Sequence, residues 1–542
     1  MDVKQLTETK IAETLNLPVT TEQFEYPKQL EHGDLALPCF RFAKALKTSP
    51  HQIAQSIQQA LQADELYAKI EVVGGYVNFF FHREKLAASI LLAKPVTQPY
   101  QGTVTIDMSS PNIAKPFSMG HLRSTIIGES LARMYEHVGF RTVKINHLGD
   151  WGTQFGKLIS AYKTWGVKEE IENNPIPELL TLYVRFHEEG DEKAGRRWFK
   201  LLEDGDDEAV QLWTWFKSES LKEFEKIYHR LGVRFDAITG ESFYNDLMGA
   251  VVDVLKEKRL LIESDDAQVV LLEDQNLPPC LIQKNDGATL YATRDLAAAI
   301  YRKETYAFTQ SLYVVGHEQS LHFTQIKAVL NKAGFDWPDD MEHVPFGLIR
   351  SEGKKMSTRK GTVILLEDVL DEAVALAKKT IQEKNPELPN ANDVAEQIGV
   401  GAIIFNDLKN DRILDIDFSL ENSLRFEGET GPYVQYTHAR TCSILKHGTP
   451  GEPSVSSDLE WEMVMFIYRF EETVRIAVRQ KNPSLIARYV LDLAQSFNRY
   501  YSQVKIVNDD AGQGSRLLIV DAVRSKLQSG LYLLGVTAPT KM

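Results

Sequence analysis

The sequence predicts a multidomain α/β protein built around a doubly wound parallel sheet, with a small α+β domain before it and an all-α domain after it. Strand and helix patterns alternate over 103–146 and again over 311–350, as they do in parallel sheets. A mostly helical stretch at about 155–260 separates the two sets, and we expect it to be an insertion. Beyond about residue 415 the strand signals vanish and only helix-period patterns remain.

The two halves of the sheet domain have the same strand–helix–strand order, which predicts βαβ units. The predicted elements are strands at 103–108 and 141–146 around a helix from about Gly120 to His137, and strands at 311–316 and 343–350 around a helix at 321–334. Because such units place their strands parallel and side by side, we expect both halves to share one sheet.

The flanking regions complete the predicted architecture. In the N-terminal region, 49–62 predicts an amphipathic helix and 71–81 a strand entered through Gly74-Gly75. The predicted C-terminal helices are 459–480, 483–501 and 514–534. The resulting domains are an N-terminal domain at 1–100, the sheet domain at 101–375, a connecting stem at 376–424 and a helical domain at 425–542.

Composition excludes several classes of protein. At roughly 150 residues per domain, 542 residues suggest three or four domains. The three cysteines, Cys39, Cys280 and Cys442, are scattered, which argues against a zinc ribbon or a disulfide scaffold and favours a reducing compartment. The N-terminus has no secretory signal, and no run approaches the ~18 apolar residues of a membrane helix. We therefore expect a soluble, cytoplasmic protein with no membrane partner.

The net charge of −14 disfavours nucleic acid as a partner, but the charge is uneven. Residues 425–542 carry 14 Lys and Arg against 12 Asp and Glu. A locally basic face can bind phosphates on an acidic protein, although an evenly solvated surface is the simpler interpretation.

Two segments point to nucleotide chemistry. The first strand-to-helix turn, SSPNIAKPFSMGHLRST (109–125), lacks the G-x-G-x-x-G fingerprint, and GTQFGKL (152–158) fails as a P-loop because its glycine spacing is too short. What remains is Gly120-His121 at a helix start, where backbone N–H groups can meet phosphate. Later, SEGKKMSTRKGT (351–362) places four cations on a loop, which suits the leaving pyrophosphate of a triphosphate.

These segments resemble the signature motifs of class I aminoacyl-tRNA synthetases. SMGH (118–121) is similar to HIGH, and KMSTR (355–359) is similar to KMSKS. Three further segments resemble arginyl-tRNA synthetases in particular: NHLGDWGTQFG (146–156), YATRDLAAA (291–299) and GHEQSLHFTQ (316–325). The resemblance covers essentially the whole chain. It implies a Rossmann-like catalytic domain, an N-terminal domain that binds the tRNA D-loop and an α-helical anticodon-binding domain.

The resemblance also implies the reaction. ATP and L-arginine would form arginyl-adenylate, and the arginyl group would then pass to the terminal adenosine of the tRNA specific for arginine. In this family adenylate formation typically waits for the tRNA. We expect Mg2+ to enter with ATP, no zinc or other resident metal, and a monomer.

The ATP site carried over from the family departs from the complete pair of signatures at two positions. Its residues are Ser118, Gly120, His121, Lys355, Met356 and Ser357 for ATP binding, with His121, Lys115, Lys355 and Arg359 as the catalytic set. Ser118 replaces the first histidine of HIGH, and Thr358 replaces the second lysine of KMSKS. Lys115, just before the first motif, is our candidate for the missing charge.

The arginine pocket carried over from the family consists of Asp107, Asn112, Tyr291, Asp295 and Gln319. The residue types fit the ligand, because a guanidinium is a planar set of five donors best met by a carboxylate, other acceptors and an aromatic face. Tyr291 and Asp295 lie one turn apart on a predicted helix. Without the resemblance, a core tyrosine and a surface ion pair would be the simpler interpretation. His147, Asp150, Trp151 and Gln154 follow a predicted strand and are further candidates without an assigned role.

Contacts to tRNA are expected at both ends of the chain. The resemblance places Tyr76 and Asn78 against a D-loop base, which an aromatic ring and an amide on one strand face would suit. In the C-terminal domain, the candidates for stacking on the anticodon loop are Tyr433, Tyr436, Arg440, Arg499, Tyr500 and Tyr501. Most aromatic residues on helices belong to the core, which is the competing interpretation.

Three alternatives stay open. A catalytically weak paralogue that only binds tRNA would explain the departures in the motifs. A class I synthetase for another amino acid is disfavoured because Asp107 and Asp295 suit a cationic substrate. A nicotinamide oxidoreductase is disfavoured because the glycine fingerprint is missing.

Overall fold

The computed structural model of the chain describes residues 2–15, 17–27, 29–93, 99–264, 267–284, 291–351, 354–355 and 365–542, with only the backbone for 351, 354 and 355. Within those ranges no helix is long and apolar enough to cross a membrane.

The N-terminal region is a three-stranded antiparallel sheet with helices packed on it. Its elements are α1 (Val3–Leu15), β1 (Leu35–Pro38), α2 (Phe40–Leu46), α3 (Pro50–Leu61), β2 (Tyr67–Val73), β3 (Tyr76–Phe81) and α4 (Arg83–Leu91). The strand order is β1-β3-β2. The segment predicted as one strand at 71–81 belongs to a hairpin, because Gly74 adopts a φ of +60° and turns the chain between β2 and β3.

The central sheet has five parallel strands in the order β11-β10-β4-β5-β6. The chain first supplies β4 (Thr103–Asp107), α5 (Met119–His137) and β5 (Arg141–Asn146). The helical insertion follows as α6 (Thr153–Trp165), α7 (Lys168–Asn173), α8 (Pro175–Glu189), α9 (Glu192–Glu203) and α10 (Asp207–Leu231).

After the insertion the chain returns to the sheet and then builds a small antiparallel sheet beside it. This part consists of β6 (Ala237–Ile238), α11 (Met248–Glu257), β7 (Leu261–Ser264), β8 (Ala267–Val270), β9 (Cys280–Lys284), α12 (Tyr291–Tyr306), β10 (Gln310–Tyr313), α13 (Ser320–Ala333) and β11 (Met341–His343). After β4 the chain continues to β5, its neighbour on one side. After β10 it continues to β11, which lies towards the opposite edge of the sheet. The topological switch point therefore lies between the carboxyl ends of β4 and β10.

The predicted strand at 343–350 is wrong as a single element. It divides between β11 and β12 (Ile349–Ser351), and β12 pairs in a second sheet with β13 (Lys354–Lys355) and β14 (Ile416–Asp417). Between the two strands, the Pro345 carbonyl accepts a hydrogen bond from Arg412, and the Gly347 carbonyl accepts one from Arg123. These carbonyl groups therefore bind side chains and not the backbone of a neighbouring strand. β14 also lies beyond residue 415, where two strand residues are too few to give a signal.

The remainder of the chain is helical. Its elements are α14 (Leu366–Lys384), α15 (Ala391–Leu408), α16 (Leu420–Ser423), α17 (Gly431–Ile444), α18 (Asp458–Gln480), α19 (Ser484–Gln503) and α20 (Gln513–Leu533). The last three match the predicted helices to within two residues. α15 packs against both α5 and α17, so it connects the sheet domain to the C-terminal helices. A buried ion pair of 3.1 Å between Arg123 on α5 and Asp407 on α15 fixes this contact.

Candidate active site

The switch point brings polar side chains together in a crevice. Asp107 ends β4 and Tyr313 ends β10, and the two residues are register partners in neighbouring strands. Open parallel sheets bind ligands at this position because the chain leaves the two strands in opposite directions. The crevice is therefore the place where the two signature segments should meet.

The loop after β4 is held in a strained conformation. Ser109, Ser110 and Ala114 have φ values of +71°, +51° and +59°, which cost on the order of 1 kcal/mol each for residues with a Cβ. Neighbouring side chains hold their N–H groups: Ser109 donates to Ser124 Oγ at 2.9 Å, and Ser110 donates to Asn146 Oδ1 at 3.2 Å. Strain held in this way is typical of functional loops.

The start of α5 presents a neutral histidine. The backbone N–H of Ser118 donates to His121 Nδ1 at 3.1 Å, so the proton of the neutral ring resides on Nε2. Burial, together with the charge of Lys115, lowers the pKa of His121 to about 4. Nε2–H can therefore donate to an anionic oxygen at neutral pH. Gly120 faces open space, since an added Cβ would meet only Ser118 Oγ at 3.5 Å.

The chain that follows the second signature returns close to this helix start. Lys355 contributes its backbone to β13, and Met356, Ser357, Thr358 and Arg359 lie outside the described residues. The chain returns at Leu365, which bridges to Ser118, and the Leu366 N–H donates to the Phe117 carbonyl at 3.0 Å. Leu365 and Leu366, which follow the second signature, are therefore attached to the start of the first signature.

Asp107 is paired within the protein. Its Oδ2 lies 2.8 Å from Nη2 of Arg302, and Ser110 Oγ donates to Oδ1 at 3.0 Å. Burial acts to lower the pKa of Arg302, but Asp107 together with Tyr244 and Tyr313 outweighs it and holds that pKa well above the usual value. Arg302 is not among the residues predicted from the sequence, although it lies eleven residues after Tyr291 and so on the same helix face.

Asp295, on α12, lies between two histidines. His322 Nε2 is 2.5 Å from Asp295 Oδ2, and His147 Nε2 is 3.9 Å from Oδ1. Arg302 Nη2 lies 3.4 Å from His147 Nδ1, so Nδ1 accepts and Nε2–H points towards the carboxylate. Burial, reinforced by Arg302, lowers the pKa of His147. Burial acts to raise the pKa of Asp295, but the hydrogen bond from His322 and the neighbouring positive groups bring it below its usual value.

A second carboxyl group, Glu241, belongs to the same electrostatic environment. Burial, helped by Asp150 and Asp295 and opposed by Arg294, raises the pKa of Glu241 to about 7. Glu241 is not among the residues predicted from the sequence. It lies in a short 3-10 segment between β6 and α11, where no strand or helix periodicity indicates its position.

The other predicted arginine-pocket residues lie at the start of α12, at the start of α13 and in the loop after β4. Tyr291 begins α12 one turn before Asp295 and is exposed, and Gln319 is the N-cap residue of α13, three residues before His322. Asn112 bridges to Gly149, where an added Cβ would lie only 1.9 Å from Asn112 Oδ1. Only glycine at 149 therefore leaves room for Asn112.

Asp150, a further candidate, has a structural role. It is fully buried, and its carboxylate accepts hydrogen bonds from Lys217 at 2.6 Å and from Ser242 N and Oγ at 2.8 Å. These contacts tie the insertion to the sheet. Trp151 packs edge-on against Phe199 of the same insertion.

The two predicted D-loop residues differ in accessibility. Tyr76 is 38% exposed and packs edge-on against the exposed ring of Phe40, with 5.4 Å between ring centroids. Asn78 is only 5% exposed in the middle of the three-stranded sheet. An aromatic surface is thus available at Tyr76 and Phe40.

A cavity of about 560 Å³ lies between α14–α15 and the C-terminal helices. Tyr433, Tyr436, Arg440 and Asn498 line it. The guanidinium of Arg440 lies over the rings of Tyr436 and Tyr501 at 4.8 and 5.2 Å. Asn498 binds Arg440 and donates to the Tyr433 hydroxyl at 3.0 Å.

Two of the predicted tRNA residues lie elsewhere. Tyr500 is fully buried on the core face of α19, so its ring has no surface on which a base could stack. Arg499 is paired with Glu462 of α18 and does not line the cavity. Tyr500 therefore offers no stacking face, whereas Arg499, whose side chain is 50% exposed, stays a predicted contact outside the cavity.

Within the described ranges, no group of three or more His, Cys, Asp or Glu side chains has the arrangement of a metal site.

Sequence comparison agrees with the class defined by this fold and site. A family model described as "tRNA synthetases class I (R), catalytic domain" matches residues 86–420. Models described as "Arginyl tRNA synthetase N terminal domain" and "DALR anticodon binding domain" match 2–81 and 434–542. The sheet, its helical insertion and the two signature segments are therefore those of a class I aminoacyl-tRNA synthetase.

Individual proteins similar to this chain narrow the class. An arginine–tRNA ligase from an Exiguobacterium species is 54% identical, and the match covers 98% of this chain and 98% of that protein. An arginine–tRNA ligase from Enterococcus faecalis is 52% identical, and the match covers 100% of both chains. A solved structure of Thermus thermophilus arginyl-tRNA synthetase is 26% identical, with a TM-score of 0.88 over 100% of both chains. The chain belongs to the arginyl-tRNA synthetase family.

Proposed function

We propose that this chain, as an arginine–tRNA ligase, uses the crevice at the switch point for both steps of the reaction. An arginine carboxylate oxygen attacks the α-phosphorus of ATP, the bond to the β-phosphate oxygen breaks, and pyrophosphate leaves. A ribose hydroxyl of the terminal tRNA adenosine then attacks the arginyl carbonyl carbon, and AMP leaves. The observation that carries the proposal is the bridge between Ser118 of the first signature and Leu365, which follows the second signature in the chain.

ATP is proposed to bind at the start of α5. The adenine ring would lie over Gly120, and His121 Nε2–H would donate to a phosphate oxygen. Lys115 is exposed, and its Nζ is 5.9 Å from the ring centroid of Tyr183; it forms no ion pair with any described side chain. It is therefore free to approach developing negative charge. Lys355 and Arg359 are proposed to hold pyrophosphate. Mg2+ enters as the ATP complex, and we expect no zinc.

Arginine is proposed to lie with its guanidinium against Asp295 and Glu241. Asp295 is 31% exposed at its side chain and has no Lys or Arg side chain within 4.0 Å among the described residues. Tyr291 supplies an aromatic face and Gln319 an acceptor. The α-amino and carboxylate ends are assigned to Asp107 and Asn112. Because Arg302 already neutralises Asp107, we expect the charge for the guanidinium to come from Asp295 and Glu241.

The tRNA is proposed to contact both ends of the chain. One unstacked D-loop base would meet Tyr76, with Asn78 beneath it, and the anticodon loop would occupy the cavity of Tyr433, Tyr436 and Arg440. Contact of α15 with α5 and α17 offers a physical connection by which tRNA in the cavity could promote adenylate formation. We expect the enzyme to act as a cytoplasmic monomer, with the four domains at 1–100, 101–375, 376–424 and 425–542.

The test is ATP–pyrophosphate exchange with each amino acid in turn, with and without pooled tRNA. We expect exchange with arginine alone and only when tRNA is present. Exchange with arginine but without tRNA would keep the substrate and overturn the tRNA requirement. No exchange, from folded protein that still binds tRNA, would favour a protein that only binds tRNA.

A further inference from the structure

Asp107 and Asp295 differ in what neutralises them. Asp107 is bound by the guanidinium of Arg302 at 2.8 Å, so its charge is met within the protein. Asp295 has only imidazoles as partners within 4.0 Å among the described residues. A carboxylate without a Lys or Arg side chain within 4.0 Å among the described residues is the one available for a guanidinium from outside.

An aspartate on one face of a helix is not by itself a fixed receptor, because its carboxylate plane can rotate. A guanidinium needs that plane in one orientation to donate two parallel hydrogen bonds. In this structure His322 Nε2 reaches Asp295 Oδ2 at 2.5 Å from the first turn of α13. The contact fixes the plane and leaves Oδ1 and the remaining lone pair of Oδ2 for a ligand.

We infer that His322 is a positioning residue that orients the Asp295 carboxylate for the guanidinium of arginine. The inference rests on the proposed function, because it takes Asp295 as the guanidinium ligand. His322 also lies three residues after Gln319, so the same hydrogen bond fixes Gln319 relative to Asp295. The two sides of the proposed pocket, α12 and α13, are thereby held in one arrangement.

A histidine that merely tied two helices together would have a different effect. Its loss would lower the melting temperature and would change arginine, ATP and tRNA kinetics together. Loss of a positioning residue should act on arginine alone, because only arginine contacts the carboxylate. His322 is partly exposed, with 24% of its side chain accessible, so its replacement leaves no large cavity in the core.

The test compares His322→Gln with His322→Asn. The glutamine amide can place an N–H donor near the position of Nε2, whereas the asparagine amide is one methylene too short to reach Asp295. We expect the asparagine variant to raise the dissociation constant and KM for arginine roughly 10- to 100-fold, the range for a hydrogen bond to a charged group. The glutamine variant should stay within about fivefold of the parent. In both variants kcat and the KM for ATP should change less than twofold.

Thr324→Ala on the same helix is the control, since Thr324 Oγ1 only donates to the Ser320 carbonyl. Equal arginine affinities in His322→Asn and the parent, or in the asparagine and glutamine variants, would overturn the inference. Asp295→Asn separates this failure from failure of the proposed function. If Asp295→Asn abolishes arginine binding while His322→Asn does not, only the role of His322 is lost. If Asp295→Asn also leaves arginine binding intact, the assignment of the pocket itself is refuted.

Discussion

The proposed arginine pocket and the cavity in the C-terminal helices recognise their ligands by different physical means. In the pocket, charged side chains from separate elements bind one another: Arg302 holds Asp107, and His322 holds Asp295. In the cavity, Arg440 lies over the rings of Tyr436 and Tyr501, and three aromatic side chains are among the lining residues. A fixed set of carboxylates accepts one kind of cation, whereas aromatic faces can stack on any base. Substitutions in the two regions should therefore separate arginine kinetics from tRNA kinetics.

The largest expected effect is that of Lys115→Ala. Loss of one group that stabilises a developing anion typically costs about 10²-fold or more in rate, so we expect about a 100-fold decrease in the rate of arginine-dependent pyrophosphate exchange. The melting temperature should not change, because Lys115 is exposed. Lys115→Arg, which keeps the charge, is the matched control. A rate for Lys115→Ala within a few-fold of the parent would refute the idea that this lysine replaces the missing charge of the second signature.

The next effect is a pH dependence of arginine binding. The pKa of Glu241 in the free protein is raised to about 7, and a bound guanidinium would lower it. Arginine binding then displaces a proton below pH 7, so affinity should rise with pH and level off above it, by about tenfold between pH 6 and pH 8. His121, with a pKa of about 4, stays neutral across this window and does not contribute.

Calorimetric titration with arginine at a series of pH values measures this dependence. In Glu241→Gln the arginine affinity should be weaker and nearly constant from pH 6 to pH 8. The same slope in Glu241→Gln and the parent would mean that the proton comes from another group. Binding of tRNA supplies the comparison, because the cavity around Arg440 should not follow the titration of Glu241.

Tyr436→Ala should produce an effect of similar size on the KM for tRNA, without an effect on arginine binding. Stacking of a base on an aromatic ring is worth about 1–3 kcal/mol, so the KM for tRNA should rise about tenfold. The KM for arginine should remain that of the parent. Tyr436→Phe keeps the stacking face and should behave as the parent does. A change in arginine KM equal to the change in tRNA KM would contradict the separation of the two regions.

The sequence predicted the central elements because strand and helix periods are local. The helix from Met119 to His137 and the strand from Arg141 to Asn146 have the predicted positions. The divided strand at 343–350 was not predictable in this way, since its interruption depends on arginines distant in the sequence, Arg123 and Arg412.

Part of the proposed site could be predicted from the sequence because the spacing of residues along one helix is also local. Tyr291 and Asp295 share a helix face by spacing alone, and Arg302 could have been added from that spacing. His322 and Glu241 reach the pocket only through folding, so no local pattern identifies them. Tyr500 shows the opposite case: residue type suggested stacking, while its position one turn after Phe497 places it in the core.

The smallest expected effect belongs to Tyr76→Ala in the N-terminal region. Tyr76 is only partly exposed and leans on Phe40, so a single base can gain only part of a full stacking contact. We expect the KM for tRNA to rise about three- to fivefold, with arginine and ATP kinetics unchanged. Tyr76→Phe is the control, and Phe40→Ala should give a similar loss because it removes the support for the ring. An effect of Tyr76→Ala larger than that of Tyr436→Ala would reverse the ranking. It would make the N-terminal sheet, and not the helical cavity, the main determinant of tRNA affinity.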